Sequence, residues 1–225
     1  MGVLTEHHPN SAVHEHDYLP AAGLHALLPT YDLLSRMLDT GALHARLVEQ
    51  AALEPGQRVL EIGCGTGNLT LRAKQAQPAA EVTGSDPDPK ALRRAQRKMH
   101  GLNGIHFRRA FAQELPFPDG AFDRVLSSLM LHHLDADTRA ATAAEALRVL
   151  RPGGRLHILD IGGHSTPSDG RLGRLMLRNS HAAQNAGDGI PRLLRAAGFD
   201  CREVASVPHR VMGRVTFYQA TRPEH

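Results

Sequence analysis

A glutamate two residues ahead of three alternating glycines, Glu61-Ile62-Gly63-Cys64-Gly65-Thr66-Gly67, is the part of this 225-residue chain best suited to chemistry. The run Arg58 to Ile62 reads as a buried, parallel-type strand. Glycines at every second position let the backbone turn tightly and approach a ligand where a Cβ would collide. The residues that follow predict a helix, and main-chain amides are expected to point outward at its start. A dinucleotide turn has the spacing G-x-G-x-x-G, with the helix end holding a pyrophosphate. Here the spacing is G-x-G-x-G. Glu61 would repel a pyrophosphate and hold a cation, so the expected guest is a positively charged adenosyl compound.

The pattern Val59-Leu60-Glu61-Ile62-Gly63-Cys64-Gly65-Thr66-Gly67 resembles the first cofactor motif of the class I S-adenosylmethionine-dependent methyltransferases. The resemblance covers about residues 30 to 221. It implies S-adenosylmethionine as cofactor and a doubly wound, mostly parallel seven-stranded α/β sheet with an antiparallel edge hairpin and amino-terminal helices. By resemblance Glu61 indirectly anchors the methionine amino group, its other reading being a structural hydrogen bond to the loop amides, and the main chain of Gly63, Cys64 and Gly65 lies against the methionine part and ribose. An apolar strand closing on a carboxylate, Val82-Thr83-Gly84-Ser85-Asp86, implies that Asp86 takes the ribose diol, whose two hydroxyls need acceptors side by side. Its other reading is a helix cap, a role that Asp88 fills better. In the next strand exit Phe111 stands where Asp or Asn is common. It can only stack or line the pocket, which leaves the Ala112 amide and Gln113 to read the adenine edge. Pro87 and Ser128 complete the expected cofactor contacts.

The fourth exit, Val125 to Leu134, lacks the Asn/Asp-Pro-Pro-Tyr/Phe run of enzymes that methylate amino groups on bases or glutamine. It is similar to small-molecule methyltransferases, including those of ubiquinone and menaquinone biosynthesis, and Tyr31-Asp32-Leu33-Leu34 resembles their entry helix. Transfer from a sulfonium is an in-line displacement, so the protein chiefly supplies alignment, and a base is needed only where the acceptor must lose a proton. His133, Tyr31 and His181 are the candidate catalytic residues. Each also reads as pocket lining. The expected acceptor is a small molecule, apolar or aromatic, under a lid formed by residues 162 to 190. Alternatives are a non-catalytic cofactor-binding regulator, an RNA methyltransferase and, weakest, an NAD-dependent dehydrogenase.

The elements that must position these groups alternate after Pro55-Gly56. Strands are expected at 58–62, 80–85, 104–108, 122–127 and 154–160, with helices at 67–77, 88–100 and 137–151. A loop and short helix follow the third strand, helical segments span 169–197, and strands near 201–211 and 214–221 close the chain. Alternation of this kind predicts right-handed crossovers and helices on both faces. The length suits one domain: a flexible His-rich arm (1–17), then 18–225 with a helical cap (18–54), cofactor core (55–160), acceptor lid and helices (161–200) and edge hairpin (201–221). Two cysteines are too few for a disulfide framework, and neither a signal segment nor a membrane span is legible, so the expected compartment is the cytoplasm. A formal charge of +3 comes from scattered arginines, which gives no basis for expecting a nucleic-acid partner. His7, His8, His14 and His16 lack the spacing of a ligand set, and no metal is expected.

Overall fold

A computed structural model describes residues 40–164, 185, 187–210 and 212–224. In chain order these form α1 (Thr40–Ala51), β1 (Arg58–Ile62), α2 (Asn68–Ala76), β2 (Glu81–Asp86), α3 (Pro89–Lys98), β3 (Ile105–Arg109), β4 (Phe122–Ser128), a 3₁₀ turn (Leu131–His133), α4 (Ala136–Val149), β5 (Leu150–Ile161), α5 (Gly189–Ala196), β6 (Asp200–His209) and β7 (Gly213–Thr221). The seven strands make one sheet in the order β3-β2-β1-β4-β5-β7-β6. β7 alone runs against the rest, between β5 and β6. The parallel strands carry the expected doubly wound α/β topology, and the hairpin closes one edge.

Side chains alternate across a strand, and the central strands bury both sets. Leu60, Ile62, Val125, Leu156 and Ile158 face one core with Ala143, Ala146 and Val149 of α4 and Ile190 and Leu194 of α5. Val59, Val82, Leu126, Leu159 and Phe217 face the other with Leu47 and Val48 of α1 and Leu69 and Ala73 of α2. Each fully buried leucine or valine contributes roughly 1.5–3 kcal/mol. Glu61 follows Val59 by two and so falls on the α1/α2 side, where Thr70 of α2 meets it. Helix starts are fixed by carboxylates: Asp88 accepts from the Lys90 amide (2.7 Å) and Asp135 from the Thr138 amide (2.8 Å).

The chain winds from β1 through β2 to β3 in one direction, then crosses back to β4 and β5. The order therefore reverses between β1 and β4, the place beyond the carboxyl ends of the strands where sheets of this kind form a ligand crevice. Two local expectations need correction. Residues 110–121 hold no helix; Phe111 and Glu114 form an isolated bridge, and the short helical turn comes later at Leu131–His133. β5 starts at Leu150, with Pro152-Gly153-Gly154 inside it as an irregularity and not as a turn before it. Gly153 absorbs the bend at φ +71°, and its amide and the Gly154 carbonyl pair with Arg222 at 3.0 and 2.9 Å.

The predicted arm 1–17, the helices ahead of residue 40, Tyr31, His181 and most of the 161–200 segment lie outside the described residues. Among the described residues no helix is long and apolar enough to cross a membrane. Nor does any group of three His, Cys, Asp or Glu among them gather in a way that would hold a metal ion.

Candidate active site

The glycine turn is tied to the end of β2. The Gly63 and Cys64 amides both donate to the Ser85 carbonyl at 2.9 Å, the Gly65 amide donates to Asp86 Oδ2 at 2.8 Å, and the Gly67 amide returns to the Cys64 carbonyl at 2.8 Å. These amides are committed inside the protein, so the turn presents glycine backbone surface to a ligand instead of unfilled donors. At Gly65, with φ +51°, a Cβ would meet nothing within 4 Å. The space beside it is open, unlike that at Gly63, where a Cβ would lie 2.6 Å from Met130 Cγ.

Two carboxyl groups flank this surface. Glu61 is buried, with Thr70 Oγ1 donating to it, and its pKa is pushed up to about 8, first by burial and also by the charge of Asp86. Asp86 accepts from Gly65 through Oδ2 and from the Asp88 amide through Oδ1 (2.9 Å). Burial raises its pKa, and those two hydrogen bonds act against the rise. Among the described residues neither carboxyl is bonded to a basic side chain. The buried Glu61 and the half-buried Asp86 stand beside this open glycine surface, and the charge of Asp86 disfavours ionisation of Glu61, an arrangement that a cation would relieve.

The other predicted contacts fall around this pair with varied roles. Pro87 follows Asp86, and its carbonyl accepts from Arg109 Nε at 3.1 Å. Phe111, Ala112 and Gln113 are half-buried in the loop after β3, which the Ala110 amide ties to the Asp86 carbonyl at 3.3 Å. The Cys64 side chain is buried and packs on Gly84, where a Cβ would come within 2.9 Å of its Sγ. Burial pushes its thiol pKa up. Ser128 Oγ is 2.9 Å from Nε2 of His44, a residue of α1. His133 is exposed, its ring 4.0 Å from that of His132.

Residues 59–154 match the model of a family described as a methyltransferase domain. This segment is a class I, S-adenosylmethionine-dependent methyltransferase domain. Demethylmenaquinone methyltransferase of Thermus thermophilus is 42% identical over 139 residues, 60% of this chain and 62% of that protein. A ubiquinone/menaquinone biosynthesis C-methyltransferase of Azotobacter vinelandii is 35% identical over 161 residues, 67% of this chain and 60% of that protein. The chain thus spans about three fifths of the length of these relatives. Among solved structures, a methyltransferase from Methanosarcina mazei superposes with a TM-score of 0.63 at 21% identity, covering 79% of this chain and 98% of that one. Geranyl diphosphate methyltransferase gives 0.64 at 17%, covering 80% and 84%. Both share the fold.

The methyltransferase domain's own residues fit an adenosyl sulfonium cofactor: the open face at Gly65 admits backbone approach, and the Asp86 and Glu61 carboxyls would balance a cationic ligand, Glu61 by giving up its proton. Several residues at this end of the sheet escaped the sequence reading. Thr70 and His44 come from helices, where nothing local marks them. Asp160, fully buried at the end of β5, accepts from the Leu131 amide (2.8 Å), the Ile161 amide (2.7 Å) and His132 Nδ1 (2.6 Å). Its signal was available: His157-Ile158-Leu159-Asp160 is another largely apolar strand closing on a carboxylate, as at Asp86.

Proposed function

We propose that the protein transfers the methyl group of S-adenosylmethionine to a small apolar or aromatic acceptor in the cytoplasm. The observation that carries this reading is the convergence of Glu61, the open face of Gly65 and Asp86 at the adjoining exits of β1 and β2. Asp86 would hold the ribose hydroxyls with lone pairs left beyond its two amide bonds, and Pro87 would border them. Glu61 would balance the cationic end through the turn formed by Gly63, Cys64 and Gly65. Phe111, Ala112 and Gln113 would line the adenine side, and Ser128, fixed by His44, would close the crevice from β4. When bound, the cofactor supplies a methyl group on a sulfonium, whose C–S electron pair leaves with sulfur as the acceptor's pair forms the new bond. Holding the acceptor in line contributes up to roughly 7–11 kcal/mol of the rate. His133, Tyr31 and His181 remain candidate acceptor-side residues.

The similarity to relatives named for demethylmenaquinone and ubiquinone/menaquinone methylation favours a ring-hydroxylated aromatic acceptor. Two buried, unpaired cysteines, Cys64 and Cys201, suit a reducing compartment. The test is incubation with methyl-tritiated S-adenosylmethionine and a panel of hydroxylated naphthalenes, amines and thioethers. Label in an extractable product with matching S-adenosylhomocysteine supports the reading. Cofactor binding with no transfer to any acceptor would favour a regulator that uses the same site.

A further inference from the structure

His132 and Asp160 form a pair that cofactor binding leaves unused. Leu129, at φ +55°, turns the chain out of β4, and its amide bonds the Leu159 carbonyl of β5 at 2.8 Å. Met130 then packs over Gly63 of the cofactor turn, and the 3₁₀ turn lays Leu131 and His132 on the end of β5. Both oxygens of Asp160 accept main-chain N–H groups, Leu131 at Oδ2 and Ile161 at Oδ1. The ring nitrogen 2.6 Å from Oδ1 is therefore the donor, and Nδ1 carries the proton. In the neutral ring that leaves Nε2 with its lone pair. Among the described residues no bond engages Nε2, and unlike both nitrogens of His157 it is not sealed from solvent; the side chain as a whole is 14% exposed.

An imidazole with one nitrogen locked by a buried carboxylate and the other open is the arrangement of an oriented base. A simple staple between the β4 exit and β5 is already present in the Leu129 and Leu131 amide bonds to the Leu159 carbonyl and Asp160, and it needs no second nitrogen. The charged and titratable groups about the pair are Asp160 itself, the tilted neighbouring ring of His133, Arg139 of α4 and Tyr218 of β7, the last two coupled electrostatically to Asp160.

We infer that His132, held by Asp160, is the proton acceptor for a methyl acceptor that must lose a proton, an aromatic hydroxyl or an acidic ring carbon, so that the exposed neighbour His133 does not serve this role. This rests on the methyl-transfer reading above. The proton of the acceptor's O–H or C–H passes to Nε2, and its electron pair stays on the oxygen or carbon as the nucleophile. His132 later returns the proton to bulk water. Asp160 is a positioning residue, acting through the tautomer it fixes.

The test compares two acceptors at mildly alkaline pH: 1,4-dihydroxynaphthalene, which is not ionised, and 4-nitrocatechol, which already is. In His132→Asn, kcat/KM for the first is expected to fall by about 100-fold or more, the usual contribution of a positioned base, and for the second by less than about threefold. Unchanged affinity for S-adenosylhomocysteine establishes that the variant is folded. Asp160→Asn should give the same selective loss, and the imidazole nitrogen resonances of His132 should change from a single Nδ1–H tautomer to a mixture. Equal loss for both acceptors, no loss for either, or transfer by the wild type to amines or thioethers but to neither phenol would overturn the inference. Failure of the wild-type protein to bind S-adenosylhomocysteine would instead overturn the reading beneath it.

Discussion

Burial strips the Glu61 carboxylate of water and Asp86 adds a like charge, which together push its pKa up to about 8. Near neutral pH it holds a proton. A cationic cofactor supplies the missing counter-charge, which lowers that pKa and expels the proton. Binding heats measured in buffers of different ionisation enthalpy should therefore diverge between pH 7 and 8, and Glu61→Gln should remove the divergence while weakening affinity. Heats that agree across buffers in the wild type would remove Glu61 from the cation site. The residue scale is also where sequence reading reaches its limit. Glu61, the glycines and Asp86 were legible because each sits on a contiguous strand-exit pattern. The doublet His132-His133 was not resolvable, since adjacent residues of a 3₁₀ turn face directions about a third of a turn apart, and only the fold brings Asp160 to one of them.

The glycines of the turn divide into two kinds, and the contrast can be measured. At Gly67, which starts α2 at φ +78°, a Cβ would lie 2.3 Å from Met99 Cε and 3.1 Å from Ala95 Cβ of the α3 region. At Gly65 the same atom enters open space. Gly67→Ala should cost about 1–3 kcal/mol in denaturant unfolding, from left-handed strain plus repacking. Gly65→Ala should cost about 1–2 kcal/mol, from strain alone, yet lose most cofactor affinity because the methyl occupies the ligand face. Equal affinity losses in the two variants would contradict the assignment of that face. Strands and helices were readable here to within a residue or two, as at β1, β4 and β7, where apolar runs are bounded by clear turns. The start of β5 was misread because Pro152-Gly153-Gly154 has the composition of a turn. It is held in the sheet by Arg222, a residue some 70 positions away in the chain.

At the scale of the whole molecule, opposed titrations shape stability. Burial lowers the pKa of His157 to about 3, with the charges of Arg124, Arg155 and Arg202 adding to it, and burial with Arg72 lowers that of His44 to about 4. Their folded-state values lie below the ordinary value near 6.5, so the unfolded chain takes up protons first, and stability falls as pH drops from about 6.5 through 4 toward 3. Glu61 acts in the other direction: its raised value gives a contribution that is complete below about pH 4.5 and is lost as pH rises through about 8. His157 is also sealed in the sheet with both nitrogens unpartnered. His157→Leu should raise stability by about 1–3 kcal/mol at neutral pH and flatten the acid limb of a melting-temperature profile. A less stable variant with the acid limb unchanged would show that the imidazole is hydrogen-bonded in solution. None of these long-range couplings carried a sequence signal, because each depends on which strand lies beside which.

The most direct measurement is calorimetric titration of the wild-type protein and Asp86→Ala with S-adenosylhomocysteine and with NAD. The account predicts saturable binding of the adenosyl thioether to the wild type, none of NAD, and loss of the first in a variant that remains folded by circular dichroism. Binding of NAD, or affinity for S-adenosylhomocysteine that survives the loss of Asp86, would contradict the placement of the cofactor at the β1–β2 exit.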